Sequence, residues 1–403
     1  MKHVTLIALA IASAPLSWTP SASAADSVSE ALNGGSAKVN LRYRYEDVSQ
    51  DNALEDATAH TLRTRLTWKS DSYLDFSTLL EFDNVSYLGP QRFNDTRNGK
   101  ANYSTIADPQ GTDFNQVYLD YAGVPDSVLR LGRQRINLGN QRYVGGVGWR
   151  QNEQTYDGAS FSYNMDSLGI FYGYIDNVNR IFGPEDGTPA ADLNSDSHVL
   201  NISFSAADAL NLTGYSYVYD FEDAAALSST TLGARASGAF AELPLSPSYA
   251  LEYAKQSEHA NNATEYDASY QLAELGLTAA GIKFVGAREK LGADADAGTA
   301  FQTPLATLHK FQGFADVFLN TPANGVVDTY GSISYTFSGF KLVAFYHDFE
   351  SDENDISYGN EIDAVVARKL GKHVTVVAKY ADYDANALAA DTDKLWLMIN
   401  ATF

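Results

Sequence analysis

The stretch that decides the fold is Val39-Asn40-Leu41-Arg42-Tyr43-Arg44-Tyr45-Glu46. Val39, Leu41, Tyr43 and Tyr45 fall on one parity, while Lys38, Asn40, Arg42, Arg44 and Glu46 fall on the other. Successive side chains of a strand point to opposite faces, so this spacing predicts a strand with one apolar and one wet face. The next segment repeats it, with Leu62, Thr64, Leu66 and Trp68 against Arg63, Arg65, Thr67 and Lys69. A third sets Leu74, Phe76, Thr78, Leu80 and Phe82 opposite Asp75, Ser77, Glu81 and Asp83.

Read outward from there, the chain alternates short turns with long polar connections. Ser70-Asp71-Ser72, Gly123 to Ser127, Met165-Asp166-Ser167, Ala206 to Ala209, Ser338-Gly339 and Gly371-Lys372 are turn signals. Longer stretches separate them, among them Ser86 to Thr112, Asn179 to Asp196 and Glu289 to Asn324. Tight turns at one end and long loops at the other predict an all-β fold, a transmembrane up-and-down antiparallel β-barrel. The segments number about 18, starting near 37, 58, 73, 114, 128, 156, 168, 197, 210, 229, 248, 264, 277, 326, 340, 358, 372 and 392. Those near 128, 229 and 277 carry the weakest pattern, and 16 strands would remain without a hairpin's worth of them. An even count leaves both termini on the periplasmic side.

Composition removes the competing classes. The 403 residues hold no cysteine, which rules out disulfide frameworks, thiolate nucleophiles and zinc ribbons. A formal charge of -22 opposes general nucleic-acid binding, which needs a basic face. No uncharged apolar run after the N-terminus reaches the roughly 20 residues of a spanning helix. The first residues read as a secretory signal: Lys2, an apolar Val4 to Ala14, and Ala22-Ser23-Ala24 as a small-x-small cleavage site. We therefore expect a signal peptide over 1–24, export through the Sec pathway, and one barrel domain over 25–403. Enzyme signatures such as His-Glu-x-x-His, Gly-x-Ser-x-Gly or a phosphate loop do not occur, and the seven histidines are scattered. No catalytic group, cofactor or metal is expected.

The C-terminus carries an independent signal. Leu395, Leu397, Ile399, Ala401 and Phe403 alternate with Lys394, Trp396, Met398, Asn400 and Thr402, and the chain stops on the aromatic residue. That ending resembles the terminal strand of bacterial outer-membrane proteins. A soluble sandwich would have to pack all these apolar faces on each other with unusually long loops.

Two stretches resemble the alginate-export family of Gram-negative outer-membrane porins. One is Gly132-Arg133-Gln134-Arg135 followed by Gly139, Arg142, Gly145, Trp149-Arg150 and Tyr156-Asp157-Gly158. The other runs from Phe301-Gln302-Thr303-Pro304-Leu305 through His309-Lys310-Phe311-Gln312-Gly313 to Thr321-Pro322-Ala323-Asn324-Gly325. The resemblance implies a monomeric 18-stranded barrel with a basic constriction for a polyanion or small anionic solutes. It also implies further arginines around 153–160, where this chain has Thr155 and Ser160.

Charge placement locates the expected chemistry. Residues 38–150 hold 14 bases and 14 acids, whereas 151–403 hold 13 bases and 34 acids. Arg42, Arg44, Arg63 and Arg65 share the polar face of adjacent strands, where a row of guanidiniums attracts carboxylates and forms an anion path. The plainer reading is a wet wall whose arginines pair with Asp75, Glu81 and Asp83. Arg130, Arg133, Arg135, Arg142 and Arg150 form a second basic set. Strict alternation from Leu129 and Leu131 would send Arg133 and Arg135 into lipid, at roughly 2 to 4 kcal/mol in mid-bilayer. A bulge at Gly132 is therefore predicted to turn both inward. Gly145-Gly146-Val147-Gly148 would then let the chain fold back into the lumen near Trp149 and Arg150.

Two loop features remain. Leu305, Leu308, Phe311, Phe314 and Phe318 suggest a helical or folded connection that plugs or caps the pore, or that packs on neighbouring loops. Acidic clusters at Asp51, Glu55, Asp56 and at Asp352, Glu353, Asp355 read as solvated loops; the alternative is bridging to lipopolysaccharide through divalent ions. The functional expectation is an outer-membrane porin for passive passage of small anionic or uronate-type solutes or oligosaccharides, seated in lipid and lipopolysaccharide and acting as a monomer. The alternative is a loop-closed barrel serving as a surface receptor or structural protein.

Overall fold

The computed structural model describes residues 25–403, so the signal predicted for 1–24 lies outside the described residues. Twenty strands follow a short helix, α1 (Val28–Asn33), whose first turn is capped by Ser27. They are β1 (Ser36–Gln50), β2 (Ala57–Lys69), β3 (Phe76–Tyr87), β4 (Gly111–Tyr121), β5 (Ser127–Gln134), β6 (Thr155–Met165) and β7 (Leu168–Asn179). Next come β8 (Asp192–Ala207), β9 (Leu210–Tyr219), β10 (Ser229–Ala239), β11 (Ser248–Glu258), β12 (Asp267–Ala279) and β13 (Ile282–Leu291). The last are β14 (Ala293–Asp294), β15 (Thr299–Ala300), β16 (Val326–Phe337), β17 (Phe340–Glu350), β18 (Ser357–Leu370), β19 (Val374–Ala385) and β20 (Thr392–Thr402).

Eighteen of these form one antiparallel sheet in which each strand pairs with its sequence neighbour, and β14 and β15 make a small separate ladder inside a loop. The sheet closes on itself where β1 meets β20, from Asn40 opposite Thr402 to Gln50 opposite Thr392. Closure leaves no unpaired edge, the condition for a sheet to sit in a bilayer. All three weak segments are present, as β5, β10 and β13. The last begins at Ile282 rather than near 277, because Leu277 to Ala279 still belong to β12. The third strand starts at Phe76 rather than 73: Leu74 and Asp75 take positive φ values of 49° and 65° and make the turn.

The period-two pattern maps onto an inside-out protein. Leu66, Leu129, Leu131, Leu251, Leu275 and Leu397 stand exposed on the outer wall, whereas Arg44, Glu46, Lys394 and Trp396 are buried inside. Short turns such as Ala280-Gly281 and Ser338-Gly339, each with two positive φ values, join strands at one end. That is the type I′ hairpin geometry, which follows strand twist. The connections 88–110, 135–154 and 292–325 leave from the other end. The latter two turn into the barrel and build a core there with Tyr156, Tyr217, Tyr219, Phe301, Leu305, Phe314 and Trp396.

Candidate functional site

The site is the interior wall of β1, β2 and β3 together with the segments that lie against it. Arg42 sits opposite Arg63 in the β1–β2 register, and Asn40 opposite Arg65, so the inward parity of both strands delivers guanidiniums to one patch. All four arginines of β1 and β2 are buried. The connection 135–154 and Asp108 of the connection 88–110 meet them. Arg42 donates to the carbonyls of Gly148 at 2.9 Å and Arg150 at 3.3 Å. Arg44 donates to the Trp149 carbonyl and pairs with Asp108 at 3.1 Å. Arg63 reaches the Gln151 carbonyl and lies 3.6 Å from Glu153. Arg65 forks onto Asp83 and also reaches Glu153 at 2.9 Å.

Of the plainer partners, Glu81 and Asp83 do lie against Arg65, while Asp75 is an exposed turn residue. Glu153 is the hub of the patch, shared by Arg63, Arg65 and Arg135. Three guanidiniums hold its carboxyl well below the usual carboxylate range, against the opposing cost of burial.

The second basic set divides. Arg130 forks onto Asp120 at 2.7 and 2.9 Å, its guanidinium over the Tyr118 ring. The predicted bulge at Gly132 does not occur. Gly132 has φ 124°, yet the ladders to β4 and β6 run through it in register, Tyr118 and Gly158 standing opposite. Arg133 therefore keeps the outward parity of Leu129 and Leu131. Its charge is met at the loop end of the strand, by Asp157 at 2.8 Å and Asp113 at 3.4 Å. Arg135 does turn inward, to Glu81 at 3.2 Å and to Glu153, because β5 ends at Gln134 and releases the chain. Arg142 reaches across to Glu289 at 3.0 Å and Arg150 to Glu46 at 3.0 Å.

The connection 292–325 is folded, with one turn of 3-10 helix over Leu308–Lys310 in place of a longer helix. It docks on the connection 135–154 through Gly145 N–H to the Leu305 carbonyl, Thr307 N–H to the Gln141 carbonyl, and Lys310 to the Asn140 carbonyl. It docks on the wall through Glu361, whose Oε1 accepts from the N–H groups of Phe314 and Ala315 at 2.5 and 2.7 Å. His309 stacks on Trp149 at 4.6 Å. Its Nδ1–H donates to Asp316 at 2.6 Å, and its Nε2 accepts from Lys379 at 2.6 Å. Burial pushes the imidazole down to about 3, with Asp316 opposing and Lys379 reinforcing the shift.

Further round the wall the buried charges are acidic. Glu252, Glu289, Asp328, Glu361 and Asp363 project from β11, β13, β16 and β18, all buried. Among the described residues, neither Asp363 oxygen nor Glu361 Oε2 has a hydrogen-bond partner. The interior is thus uneven: β1–β3 set four buried arginines among the buried acids Glu46, Glu81 and Asp83, whereas β11, β13, β16 and β18 supply these five buried carboxylates. Glu153, Asp108, Asp316 and Lys379 escaped the sequence reading. Lys379 has the inward parity of its strand and was visible in principle; the other three sit in connections with no period to place them.

A closed 18-stranded barrel with an apolar outer wall and a charged interior defines an outer-membrane channel architecture. Residues 36–300 match the family described as alginate export, and the chain belongs to that family. No curated protein sequence matches it. Among solved structures it is similar to OccK9 (OpdG) of Pseudomonas aeruginosa, at 15% identity and TM-score 0.72, covering 93% of this chain and 99% of that one. OccAB2 of Acinetobacter baumannii is similar at 16% identity and TM-score 0.71, over 93% and 98%. OccK5 (OpdH) of Pseudomonas aeruginosa gives 13% and 0.70, over 93% and 99%. At these identities the likeness is one of fold, and family and fold together point to a transport channel.

Proposed function

We propose that this barrel passes small anionic or uronate-type solutes, including oligosaccharides, passively across the outer membrane, and that the arginines of β1 and β2 with Arg135, Arg142 and Arg150 set the preference. The observation that carries this is the guanidinium patch itself. Arg42 has no carboxylate partner among the described residues; its Nη1 donates to the backbone carbonyls of Gly148 and Arg150, and its buried Nε has no partner there. A carboxylate binds a guanidinium more strongly than a carbonyl does and can take two donors at once. Arg130, tied to Asp120 on the inner face, has a lesser part, and Arg133, which faces outward, has none. Residues 1–24 serve as a cleaved Sec signal, leaving a monomeric barrel over 25–403.

A second reading is favoured by the packing of 135–154 and 292–325 inside the lumen: a loop-closed barrel acting as a surface receptor. One experiment separates the two. The purified barrel is placed in a planar bilayer across a KCl gradient, and reversal potential is read before and after oligoalginate. Anion preference with oligoalginate block supports the anion channel; cation preference refutes the arginine path; silent insertion favours the receptor.

A further inference from the structure

The outer wall carries a feature the transport reading does not use. Across β9 to β13 the outward residues shrink: Gly214, Ala234, Ala236 and Ala273 leave a groove of about 830 Å³. Leu212, Leu251 and Tyr253 line it as well, all well exposed. A side chain added at Gly214 would meet nothing. Elsewhere on the wall large apolar residues fill these positions, as Leu129 and Leu131 do on β5.

Two adjacent rows of the ladder trace the groove. One runs Gly214, Ala234, Tyr253, Gln271, Lys290; the other runs Leu212, Ala236, Leu251, Ala273, Arg288. Five strands at the usual spacing span about 19 Å. The two ends differ in depth. Leu212 lies seven residues from the loop end of β9, while Arg288 lies three from the loop end of β13 and Lys290 one. The apolar end is therefore deep in the wall and the basic end is at the extracellular rim.

Charge identifies the occupant. Lys290 is bound to Asp352 at 2.8 Å. Arg288 is exposed, and no hydrogen bond or ion pair joins its guanidinium to any described residue. The outward rim of β19 and β20 is acidic instead, with Asp382, Asp384 and Asp393. A lone outward guanidinium above a narrow apolar trough is complementary to an anionic head on an acyl chain.

We propose that this groove binds a phosphorylated glycolipid of the outer leaflet, lipopolysaccharide, with an acyl chain along Leu212, Ala234, Ala236 and Ala273 and a phosphate on Arg288. Phosphate and guanidinium match as a bidentate pair, and the contact offsets the cost of a charge on the lipid face.

The test uses the full barrel in detergent, titrated with purified rough lipopolysaccharide and followed by native mass spectrometry, with phosphatidylethanolamine as competitor. Wild type is expected to retain one glycolipid. Arg288→Gln should weaken retention about tenfold, the loss of one charge-assisted contact. Ala234→Leu should abolish it by filling the trough. Arg368→Gln, an outward arginine at the opposite end of β18, should retain the glycolipid as wild type does. Heat-modifiable gel migration shows that each variant is folded. Wild-type retention by both groove variants, an Arg368→Gln loss equal to that of Arg288→Gln, or equal retention of phosphatidylethanolamine would each overturn the assignment.

Discussion

Replacing Glu153 with Gln tests whether the arginine patch governs the ions that cross the barrel. Glu153 neutralises part of three guanidiniums, those of Arg63, Arg65 and Arg135. The amide keeps the shape of the side chain and removes one negative charge. An ion passing about 7 Å away in a water-filled lumen feels about 0.6 kcal/mol less of that charge, so anion entry rises and cation entry falls by about threefold each. The anion-to-cation permeability ratio should then rise roughly sevenfold, most clearly at low salt where screening is weak. Stability moves the other way. Arg65 keeps Asp83 and Arg135 keeps Glu81, but Arg63 has no other carboxylate among the described residues. Breaking a buried pair on one side costs roughly 3 to 5 kcal/mol, visible as a lower unfolding midpoint in urea. The assay is the reversal potential of single channels in a KCl gradient, with folding checked by heat-modifiable migration. A folded, conducting Glu153→Gln barrel whose reversal potential stays at the wild-type value, or moves toward cations, would refute the reasoning.

The other predictions follow from the same contacts. Arg42→Gln should lower anion preference and weaken oligoalginate block with little loss of stability, because only carbonyl bonds are given up; an unchanged block constant would count against the patch. Glu361→Ala removes the acceptor of two buried N–H groups of the connection 292–325. Bonds to a charged group contribute roughly 1.5 to 3 kcal/mol each, so single-channel conductance should rise if that connection narrows the lumen. His309 is held neutral in the fold and titrates near 6.5 when unfolded. The unfolded chain then takes up the proton first, and stability should fall as pH drops from 6.5 toward 3; His309→Gln should flatten that slope in urea titrations across the range. Gly132→Val should slow folding and lower the urea midpoint, since a Cβ at φ 124° would run into the Val117 carbonyl.

Most of the wall was legible from the sequence and little of its contents was. A strand repeats every two residues, so the inward position of Arg42, Arg44, Arg63 and Arg65 could be read from Val39, Leu41 and Leu66 alone. The same rule, applied without exception, also placed Arg133 correctly on the outer face. A bulge at Gly132 is unnecessary, because the mid-bilayer cost of an outward arginine does not apply where Arg133 sits. The strand end and the acids Asp113 and Asp157 make that position inexpensive. Arg135 needed no bulge once β5 stopped at Gln134. The connections obey no period. Nothing local to Asp108, Glu153 or Asp316 announces that each will lie under an arginine from another part of the chain. Only the glycines at 145, 146 and 148 and the apolar spacing of 305–318 hinted that these segments turn inward.

The contacts that fill the lumen bear directly on how it would select. Arg42, Arg44 and Arg63 use their donors on the carbonyls of residues 148–151. Those donors cannot serve a passing carboxylate and the inserted segment together. On the proposed reading, solute binding and loop docking are therefore competing states of one set of guanidiniums, and an anion that wins the arginines displaces 148–151 as it does so. A neutral solute gains nothing by that exchange, and a cation meets the arginines unfavourably while the segment stays in place. Selectivity then rests less on the width of the barrel than on the difference between a carbonyl and a carboxylate as acceptor. Charge-assisted bonds are about twice as strong as neutral ones. Glu153 sets the balance point, since it holds Arg63, Arg65 and Arg135 from within the same segment that the solute must move.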